Sequence, residues 1–556
     1  MNSLVSTWLK TMIRKTAREA HTGRGKKRTR PRRFVPGLES MEDRTVPSTF
    51  TVENFADSGP GSLRQAVLDA NALAGADVIC FAPAARDATI TLATGELDIT
   101  DDLTIDGPGA ECLTISGNNA SRVFEVPAGV TVTIAGVTMS DGLADGSAPV
   151  IASTGGGILN YGNLTLANVV LSDNQAVGDP NASALGRVGG ALGGAVANLG
   201  TATLTVSNSA FTGNQALGAD GSNGTGAGGA QAGAIDNFAT ASISDSQFSH
   251  NVARAGSDNT GNSAATGAGG GIFNGGSLTV TNSTFSHNQA IGGNDSSDPF
   301  RPGFGVGGAI LSGGSRGVTG ATSLVVSAST FDHNQAIGGN GNQSSNPASS
   351  VLGPNGAAGG AIHVSGGTAA ISGCMLVHNA AIAGAGGAGQ AGGLAWGGGL
   401  DAFDTFGRGV VVTISGSTIS YNQAIGGAGG PGGDGGEGWG GGLANLLGAA
   451  LTVNGCTIEH NLAIGGAGGS GGNGEDGEGG GIFQDGLSTL TLLGATVDHN
   501  LALGGTAGIG GSDGEGQGGG LYLELGGLAC ADLLTAIAGN HASTSDDDVS
   551  GVLCFI

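Results

Sequence analysis

The stretch TFSHNQAIGG, at Thr284–Gly293, recurs with small changes along most of the chain. Close variants are FTGNQALG, FSHNVARA, FDHNQAIGG, ISYNQAIGG, IEHNLAIGG and VDHNLALGG. Each copy keeps an apolar residue, a single Asn three positions later and small residues after it. A unit that returns at similar intervals indicates one elongated repeat array rather than several globular domains.

The recurring Asn residues define the length of the repeat. They are Asn174, Asn214, Asn251, Asn288, Asn334, Asn379, Asn422, Asn461, Asn500 and Asn540. Successive members are 37 to 46 residues apart. A GGGI-like or GGAV-like motif opens each unit, and an alternating run such as LTV follows it. A fixed context with variable spacing predicts a constant coil of short strands that carries a Gly-rich insertion of variable length.

Such coils predict an all-β fold, a single right-handed parallel β-helix in which each coil lays its strands beside those of the previous coil. A buried Asn at a bend must satisfy its own amide, and stacked Asn side chains can bond each other along the axis. Asn also tolerates the left-handed backbone of a sharp bend. We therefore predict that the ten Asn residues form a structural ladder without catalytic function, and that Phe285 and its equivalents stack inside.

Composition and charge limit the function. Gly accounts for 114 of the 556 residues and aromatic residues for 4%, which is too little bulk for a conventional globular core. Residues 45–556 contain eight arginines, no lysine and forty acidic residues. This balance excludes nucleic acid as a partner, because phosphate binding needs clustered cations. No stretch approaches the ~20 apolar residues of a membrane helix, so no transmembrane segment is expected.

The first 48 residues have a different character. LVSTWLKTMI would place its apolar residues on one helical face, and the basic run GRGKKRTRPRR follows. A basic amphipathic start is typical of a targeting leader and indicates a secreted or cell-surface protein. The six cysteines are too few and too scattered for a disulfide framework. Cys530 and Cys554 could form one bridge, although buried free thiols are the favoured interpretation.

Two stretches near the N-terminus resemble segments of known bacterial proteins. LESMEDRTVPS, at Leu38–Ser48, resembles the LExLEDRxxPS segment of large secreted or surface proteins of certain bacteria. The residues at Thr51–Phe81 are similar to the DSGxGSLRxAIxxAN region that opens bacterial parallel β-helix surface proteins. Ser62 is a good N-cap for a short helix, and this helix would cover the open end of the sheet stack.

The repeat itself resembles a known family. The pairing of GG[AGL][ILV] with FxxN is similar to the repeat of chlamydial-type polymorphic outer-membrane proteins and, more broadly, to pectate-lyase-like β-helices. We expect a basic leader at 1–48, an N-terminal cap with the short helix at 49–87, the β-helix at 88–545 and a tail at 546–556.

Histidines form a second repeated feature. Tyr421 precedes the ladder Asn in one unit, and six histidines do so in others: His250, His287, His333, His378, His460 and His499. Neighbouring imidazoles could bind a transition metal, or repel one another when protonated below about pH 6.5. A solvent-facing stack is the favoured interpretation, because no Cys or carboxylate recurs with these histidines to complete a ligand set.

The last three insertions are acidic as well as Gly-rich. Their carboxylates are Asp434, Glu437, Glu475, Asp476, Glu478, Asp513 and Glu515. Carboxylates on stacked loops could converge on Ca²⁺, which takes about six to eight oxygen ligands. The spacing matches neither a GGxGxDxUx nonapeptide nor an EF-hand, so flexible solubilising loops are the favoured interpretation and a calcium site is the alternative. Ca²⁺ is the one cofactor that the sequence suggests.

No catalytic constellation is visible in the linear sequence. The favoured prediction is therefore a non-catalytic structural or adhesive protein, an adhesin that presents one loop-covered face to glycan, matrix or another cell. The resemblance to pectate-lyase-like proteins implies the alternative, a polysaccharide lyase or glycoside hydrolase. A cluster of carboxylates with an arginine in one groove would favour that alternative.

Overall fold

The computed structural model describes most of the chain after the leader. The described residues are 47–82, 88–146, 153–262, 265–298, 302–313, 322–344, 353–404 and 407–556. The targeting features expected at 1–48 therefore lie almost wholly outside the described residues. Within the described part, no helix is long and apolar enough to cross a membrane.

One coil shows how the sequence builds the fold. Its strands are Ile272–Asn274 (sheet 1), Ser277–Thr281 (sheet 2), Thr284–Ser286 (sheet 3), Gln289–Ile291 (sheet 4) and Gly305–Val306 (sheet 5). Each strand pairs in parallel with its equivalents in the coils before and after it. The segment between sheets 4 and 5 is the insertion loop, and it carries the variable length.

Sheets 1, 2 and 3 extend along the described body. Sheet 1 has 13 strands: Leu97–Asp98, Phe124–Val126, Ile158–Asn160, Val196–Asn198, Ile235–Asn237, Ile272–Asn274, Ile310–Ser312, Ile362–Val364, Leu400–Phe403, Leu443–Leu446, Ile482–Gln484, Leu521–Leu523 and Val549–Ser550. Sheet 2 has 15 strands: Thr49–Val52, Asp77–Phe81, Leu103–Asp106, Thr131–Ala135, Asn163–Ala167, Thr203–Ser207, Thr240–Ser244, Ser277–Thr281, Ser323–Ser327, Thr368–Ser372, Val411–Ser415, Ala450–Asn454, Thr489–Leu493, Leu528–Ala531 and Cys554–Phe555. Sheet 3 has 13 strands: Ala88–Thr91, Leu113–Ser116, Thr138–Ser140, Val170–Ser172, Ala210–Thr212, Gln247–Ser249, Thr284–Ser286, Thr330–Asp332, Met375–Val377, Thr418–Ser420, Thr457–Glu459, Thr496–Asp498 and Ala536–Ala538.

The remaining sheets begin further along the chain. Sheet 4 has 11 strands: Leu143–Ala144, Gln175–Val177, Gln215–Leu217, Val252–Arg254, Gln289–Ile291, Gln335–Ile337, Ala380–Ile382, Gln423–Ile425, Leu462–Ile464, Leu501–Leu503 and His541–Ala542. Sheet 5 has nine: Ala191–Leu192, Ala230–Gln231, Gly267–Ala268, Gly305–Val306, Ala357–Ala358, Ala395–Trp396, Gly438–Trp439, Gly477–Glu478 and Gly516–Gln517. Four short insertion strands form a sixth sheet: Asn223–Thr225, Thr260–Asn262, Ser297–Asp298 and Gln343–Ser344. One antiparallel hairpin joins Ser183–Ala184 to Arg187–Val188.

This topology confirms the predicted fold class. The five long sheets are parallel throughout, and each coil contributes one strand to each sheet over the central part of the chain. Connections between parallel strands are right-handed in nearly all proteins, because that hand matches the strand twist. The chain is a right-handed parallel β-helix, and 15 strands in sheet 2 correspond to a stack roughly 65 Å long.

The interior is filled by columns of equivalent apolar side chains. Alternation in sheet 2 points Leu278 and Val280 inward, where both are buried, and leaves Thr279 exposed. The predicted aromatic column is confirmed: Phe211, Phe248, Phe285 and Phe331 are fully buried and stack with centroids 4.7 to 4.9 Å apart. Stacking at the coil spacing lets each ring contact the next without a gap.

The N-terminal cap forms as the sequence predicts. The helix spans Leu63–Asn71, and the Ser62 hydroxyl accepts a hydrogen bond from the Gln65 amide at 3.2 Å. Its buried face is Leu63, Ala66, Val67 and Ala70, and it belongs to the same apolar core as the coils. Arg64, on the same helix, pairs with Asp57 at 2.8 Å.

The C-terminal end differs from the interpretation of its cysteines. Cys530 and Cys554 form a disulfide, so the expectation of free thiols at these two positions was wrong. They are register partners in adjacent strands of sheet 2, with Cα atoms 4.4 Å apart. The sequence did not reveal this pairing because it depends on the last strand returning to sheet 2 one coil later. Cys374 and Cys456 are free and buried.

Candidate functional site

The ten recurring Asn residues lie in one continuous hydrogen-bonded column between sheets 3 and 4. Asn288 is representative: its amide nitrogen donates to Asn334 Oδ1 and to the carbonyl of Phe248, both at 2.9 Å. Asn334 Oδ1 also accepts from the Asn288 backbone N–H at 3.1 Å. Each amide is therefore satisfied by neighbouring coils. At the last coil Asn540 donates to Asp548 at 3.0 Å, so a carboxylate ends the column.

The left-handed backbone of this bend is not at the Asn. It is at the preceding residue, for example His287 with φ 56°, while the ladder Asn residues keep negative φ. The left-handed residue of the bend, which Asn would tolerate, therefore lies one position before the Asn. Its role here is to satisfy buried backbone and side-chain groups.

Two further polar columns were missed in the sequence. Between sheets 1 and 2, Asn160, Asn198, Asn237 and Asn274 donate in series at 2.7 to 3.1 Å, ending at Ser312. Between sheets 2 and 3 runs a third column, whose members are Ser209, Ser246, Ser283, Ser329, Cys374, Ser417 and Cys456. The recurring Asn after GGGI-like motifs was a visible signal for the first of these columns.

Outside the core lies a second packed layer, which we call the outer layer. It is formed by the second residue of each sheet 5 strand and the middle or second residue of the ten sheet 1 strands from Ile158–Asn160 to Leu521–Leu523. The sheet 5 members are Leu192, Gln231, Ala268, Val306, Ala358, Trp396, Trp439, Glu478 and Gln517. The sheet 1 members are Leu159, Ala197, Asp236, Phe273, Leu311, His363, Asp401, Ala444, Phe483 and Tyr522. Unlike the inner columns, this layer changes chemistry from coil to coil.

A buried polar triad occupies the middle of the outer layer. His363 Nδ1 lies 2.6 Å from Asp401 Oδ1, and the Trp396 indole N–H donates to Asp401 Oδ2 at 2.8 Å. Asp401 is fully buried and His363 is 6% exposed. The carboxylate thus fixes both the imidazole and the indole, and it leaves His363 Nε2 on the other side of the ring.

An acid–aromatic site follows at the C-terminal end of the layer. We define it as Glu437, Trp439, Glu478, Phe483 and Tyr522. Trp439 stacks on Phe483 with centroids 4.9 Å apart, and Phe483 stacks on Tyr522 at 5.5 Å. Trp439, Tyr522 and both carboxyls are half-buried, so the site reaches the surface, while Phe483 forms its floor at 3% exposure.

The two carboxyls of this site hold their protons unusually strongly. Burial, and then the negative charges of Glu475, Asp476 and Glu524, raise the pKa of Glu437 to about 7. Burial and the charge of Glu437 raise the pKa of Glu478 to about 8, although a hydrogen bond from Tyr522 opposes the rise. The charges acting on both groups are all acidic, so no cation offsets the cost of ionisation.

Local sequence explains this placement. Gly438 and Gly477 are register partners, and a Cβ at Gly438 would collide with backbone of sheet 4. The glycines therefore face inward, which turns Glu437, Trp439 and Glu478 toward the outer layer, since side chains alternate along a strand. Glu437 and Glu478 lie diagonally on adjacent strands, with Cα atoms roughly 8 Å apart from strand geometry.

The other carboxylates of the predicted calcium set are bound differently. Asp434, Asp476 and Asp513 each accept a backbone N–H of an insertion loop at 2.6 to 2.7 Å, and Glu515 is exposed. Burial raises the pKa of Glu475. In the described part of the chain, the groups of three with closely spaced ligand atoms are Asp332–His333–His378 and Glu96–Asp98–Glu125, and none of the seven carboxylates belongs to either. Calcium binding in these loops stays a prediction.

Nearer the N-terminal end of the outer layer, Asp236 is another carboxyl with a raised pKa, but it is closed off from solvent. Asp236 is fully buried, neither of its carboxyl oxygens has a hydrogen-bond partner, and burial raises its pKa to about 8. Arg187, on the antiparallel hairpin, opposes this rise through its charge. Because Asp236 has no access to solvent, it is a poorer candidate for chemistry than Glu437 and Glu478.

The histidine column forms on the outside of the bend. Adjacent rings are stacked 4.7 to 5.3 Å apart from His250 to His499, with Tyr421 within the series. One premise of the sequence interpretation was wrong, because Asp332, Glu459 and Asp498 directly precede column histidines and lie beside them. The sequence contains this signal as the variants FDHN, IEHN and VDHN.

No family model matches the sequence, and no curated protein is significantly similar to it. Solved structures with a similar path of the chain include a bacteriophage CBA120 tailspike protein, at 12% identity and a TM-score of 0.32. The catalytic unit of a GH87 alpha-1,3-glucanase from Streptomyces thermodiastaticus has 14% identity and a TM-score of 0.35. A mannuronic acid specific family 6 polysaccharide lyase from human gut microbiota has 10% identity and a TM-score of 0.30.

These similarities cover much of the chain. They include 87% of it for the tailspike, 80% for the glucanase and 91% for the lyase. Measured on the other proteins, the matched part covers 62% of the tailspike chain, 67% of the glucanase catalytic unit and 91% of the lyase chain. At these identities and TM-scores the similarities carry no argument about function, which must come from the site.

Proposed function

We propose that this protein is a glycoside hydrolase that acts on a neutral polysaccharide at the acid–aromatic site. The observation that carries the proposal is the pair of half-buried carboxyls, Glu437 and Glu478, whose pKa values are raised to about 7 and about 8 beside Trp439 and Tyr522. Perturbed carboxyls at a partly open aromatic surface are typical of reaction sites.

The pair can supply the one protonated and the one ionised carboxyl that glycoside hydrolysis needs. Between pH 7 and pH 8 the two carboxyls together hold about one proton, which belongs to the pair rather than to one residue. One protonated carboxyl is then available to protonate the leaving oxygen, and one carboxylate is available as base or nucleophile. Because the proton is shared by the pair, either Glu437 or Glu478 can serve as the acid.

The charges favour hydrolysis over lyase chemistry. A lyase acting on acidic sugars needs a cation near the substrate carboxylate, whereas the groups that shift Glu437 and Glu478 are all acidic apart from the Tyr522 hydroxyl. Polyanionic substrates would be repelled by the acidic body of the chain. A neutral glycan can instead stack on Trp439 and Tyr522 and accept hydrogen bonds from protonated carboxyls.

A bacterial secreted or cell-surface location belongs to this proposal. The Cys530–Cys554 disulfide supports an oxidising compartment. The basic start of the chain is typical of export. The partner is then an extracellular polysaccharide.

The test is to incubate the purified full-length chain with neutral and acidic polysaccharides and to measure new reducing ends between pH 5 and pH 9. We expect cleavage of a neutral polymer with an optimum near pH 7 to 8. Glu437→Gln and Glu478→Gln should each lower the rate by about a hundredfold or more. Glu515→Gln is the matched control, since Glu515 is an exposed carboxyl on the same side of sheet 5. Equal activity in all variants would contradict the proposal.

A second candidate function is non-catalytic adhesion to glycans. It is supported by the packing of the outer layer, where Trp396 and Phe403 are each 1% exposed and form a filled layer rather than an open cleft. Under this alternative the same polymers are bound and remain intact. Binding that is lost in Trp439→Ala, without any new reducing ends, would favour adhesion over hydrolysis.

A further inference from the structure

The histidine column contains one pair of imidazoles that stack at a clear tilt rather than in parallel. His250, His287 and His333 stack nearly in parallel, with interplanar angles of 8° and 3°. The next ring, His378, is tilted by 26° from His333, the largest angle in the column. The two rings that flank Tyr421 are tilted from it by 19° and 18°, so the His333–His378 junction stands out among the pairs of histidines.

Asp332 lies at the His333–His378 junction. Its Oδ1 atom lies 2.7 Å from Nδ1 of His333 and 3.2 Å from Nδ1 of His378, so the two imidazoles of neighbouring coils converge on one carboxylate oxygen. One ligand atom from each of the three residues lies within 4.8 Å of the ligand atoms of the other two. About half of each imidazole is exposed, at 52% and 48%, so the group faces solvent.

The rest of the column offers a comparison. Asp498 lies 2.8 Å from Nδ1 of His499, but the nearest carboxylate to His460 is Glu459 at 4.0 Å. His460 and His499 remain parallel within 6°. A carboxylate beside a column histidine is therefore not sufficient for convergence, and in the described part of the column only Asp332 gathers two imidazoles.

We propose that Asp332, His333 and His378 form a binding site for a divalent transition-metal ion such as Zn²⁺. Ligand atoms about 2.0 to 2.1 Å from a tetrahedral ion lie roughly 3.3 Å from each other. The 3.2 Å between Asp332 and His378 fits this separation, and the 2.7 Å between Asp332 and His333 has to widen by about 0.6 Å when the ion binds. Two imidazoles and one carboxylate are a common donor set for such ions. Water from solvent completes the coordination. The ion clamps adjacent coils at the bend and is independent of the acid–aromatic site.

The column also supplies natural replacements for a test. Ser286 stands at the position of Asp332 one coil earlier, and Tyr421 stands at the position of His378 one coil later with the same left-handed backbone. Asp332→Ser and His378→Tyr therefore remove ligands while keeping side chains that the bend already accepts. Asp498→Ser is the matched control, because it removes a carboxylate from a column histidine without a second imidazole.

The experiment is a titration of the metal-free full-length chain with Co²⁺, followed by visible absorption, and with Zn²⁺, followed by calorimetry. We expect one ion per chain and a loss of affinity of about tenfold or more in Asp332→Ser and in His378→Tyr. Asp498→Ser should bind as the unchanged chain does.

Three outcomes would overturn the proposal. They are the absence of saturable binding, equal affinity in the three variants, and thiolate-to-metal absorption that places the ion at Cys80 or Cys112, two partly exposed cysteines that form no disulfide. Circular dichroism of each variant shows that the fold is retained, so a loss of binding reports on the site itself.

Discussion

The inner columns and the outer layer are built on the same coils but obey different rules. In the Asn column each coil repeats the same side chain and the same bonds, from Asn174 to Asn540. In the outer layer equivalent positions change from Asp236 through His363 to Tyr522. The inner columns must satisfy buried groups on every coil, whereas the outer layer has no such requirement.

This difference indicates where function resides. A position that repeats on each coil serves packing, since neighbouring coils need the same contact. A carboxyl that is buried at a position where other coils carry different residues destabilises the protein, and the coil does not need it in order to form. Such a residue is therefore a candidate for function. Glu437 and Glu478 are such residues. Substitutions in the inner columns should therefore change stability, whereas substitutions of these two glutamates should change activity.

The largest effect is expected from breaking the inner column. Asn334→Ala removes the acceptor of the Asn288 backbone and side-chain N–H groups and one donor to the Phe285 carbonyl, all in the core. We expect a loss of about 4 kcal/mol in the free energy of unfolding, measured by chemical denaturation. The control Asn454→Ala, at an exposed strand position, should stay within about 0.5 kcal/mol of the original chain. Equal effects would show that the column adds no stability.

A smaller loss is expected from the triad in the outer layer. Asp401→Leu leaves the Trp396 N–H and the His363 Nδ1 atom without their buried partner, and should cost about 3 kcal/mol. Asp401→Asn can still accept from the indole and donate to the imidazole, so about 1 kcal/mol is expected. Denaturation of the two variants side by side checks the order, and a larger loss in the Asn variant would contradict it.

The acid–aromatic site should make stability depend on pH. The pKa of Glu478 rises from 4.5 to about 8 on folding, so its contribution is fully present below about pH 4.5 and is lost as pH rises through about 8. At about 1.4 kcal/mol for each pH unit between these two values, Glu478→Gln should flatten the decline in stability between pH 5 and pH 6.5 by roughly 2 kcal/mol. Parallel profiles for the two proteins would show that Glu478 ionises normally.

The smallest effect is expected from replacing Cys374 by serine, which is the residue at the equivalent position of the adjacent coils. Cys374 lies between Ser329 and Ser417 in the third polar column, and its thiol hydrogen-bonds to the Ser372 carbonyl at 3.3 Å. Cys374→Ser should change the free energy of unfolding by less than about 1 kcal/mol, because serine makes the same bond in adjacent coils. Cys374→Val, which keeps the volume but not the bond, should be the less stable variant in thermal denaturation.

The features that recur on each coil could be predicted from the sequence, whereas the outer layer, whose residues vary, could not. The FxxN period was sufficient for the fold, the column of Asn174 to Asn540 and the phenylalanine stack, because each depends on one local pattern. The outer layer joins residues of sheets 5 and 1 that follow no repeated pattern from coil to coil, apart from Trp396 and Trp439 on adjacent strands, so no period reveals it. The acidic insertions were noticed, but their aromatic neighbours Phe483 and Tyr522 lie in separate strands, and burial of Glu437 and Glu478 depends on this packing.

The most direct test of the account is a pH titration of the glutamate carboxyls by ¹³C NMR, with and without a neutral oligosaccharide. The account predicts two carboxyl signals that titrate at about pH 7 and about pH 8, that disappear singly in Glu437→Gln and Glu478→Gln, and that shift when the sugar is added. Titration of every glutamate at its ordinary pKa, or signals that ignore the sugar, would contradict the assignment of chemistry to the outer layer.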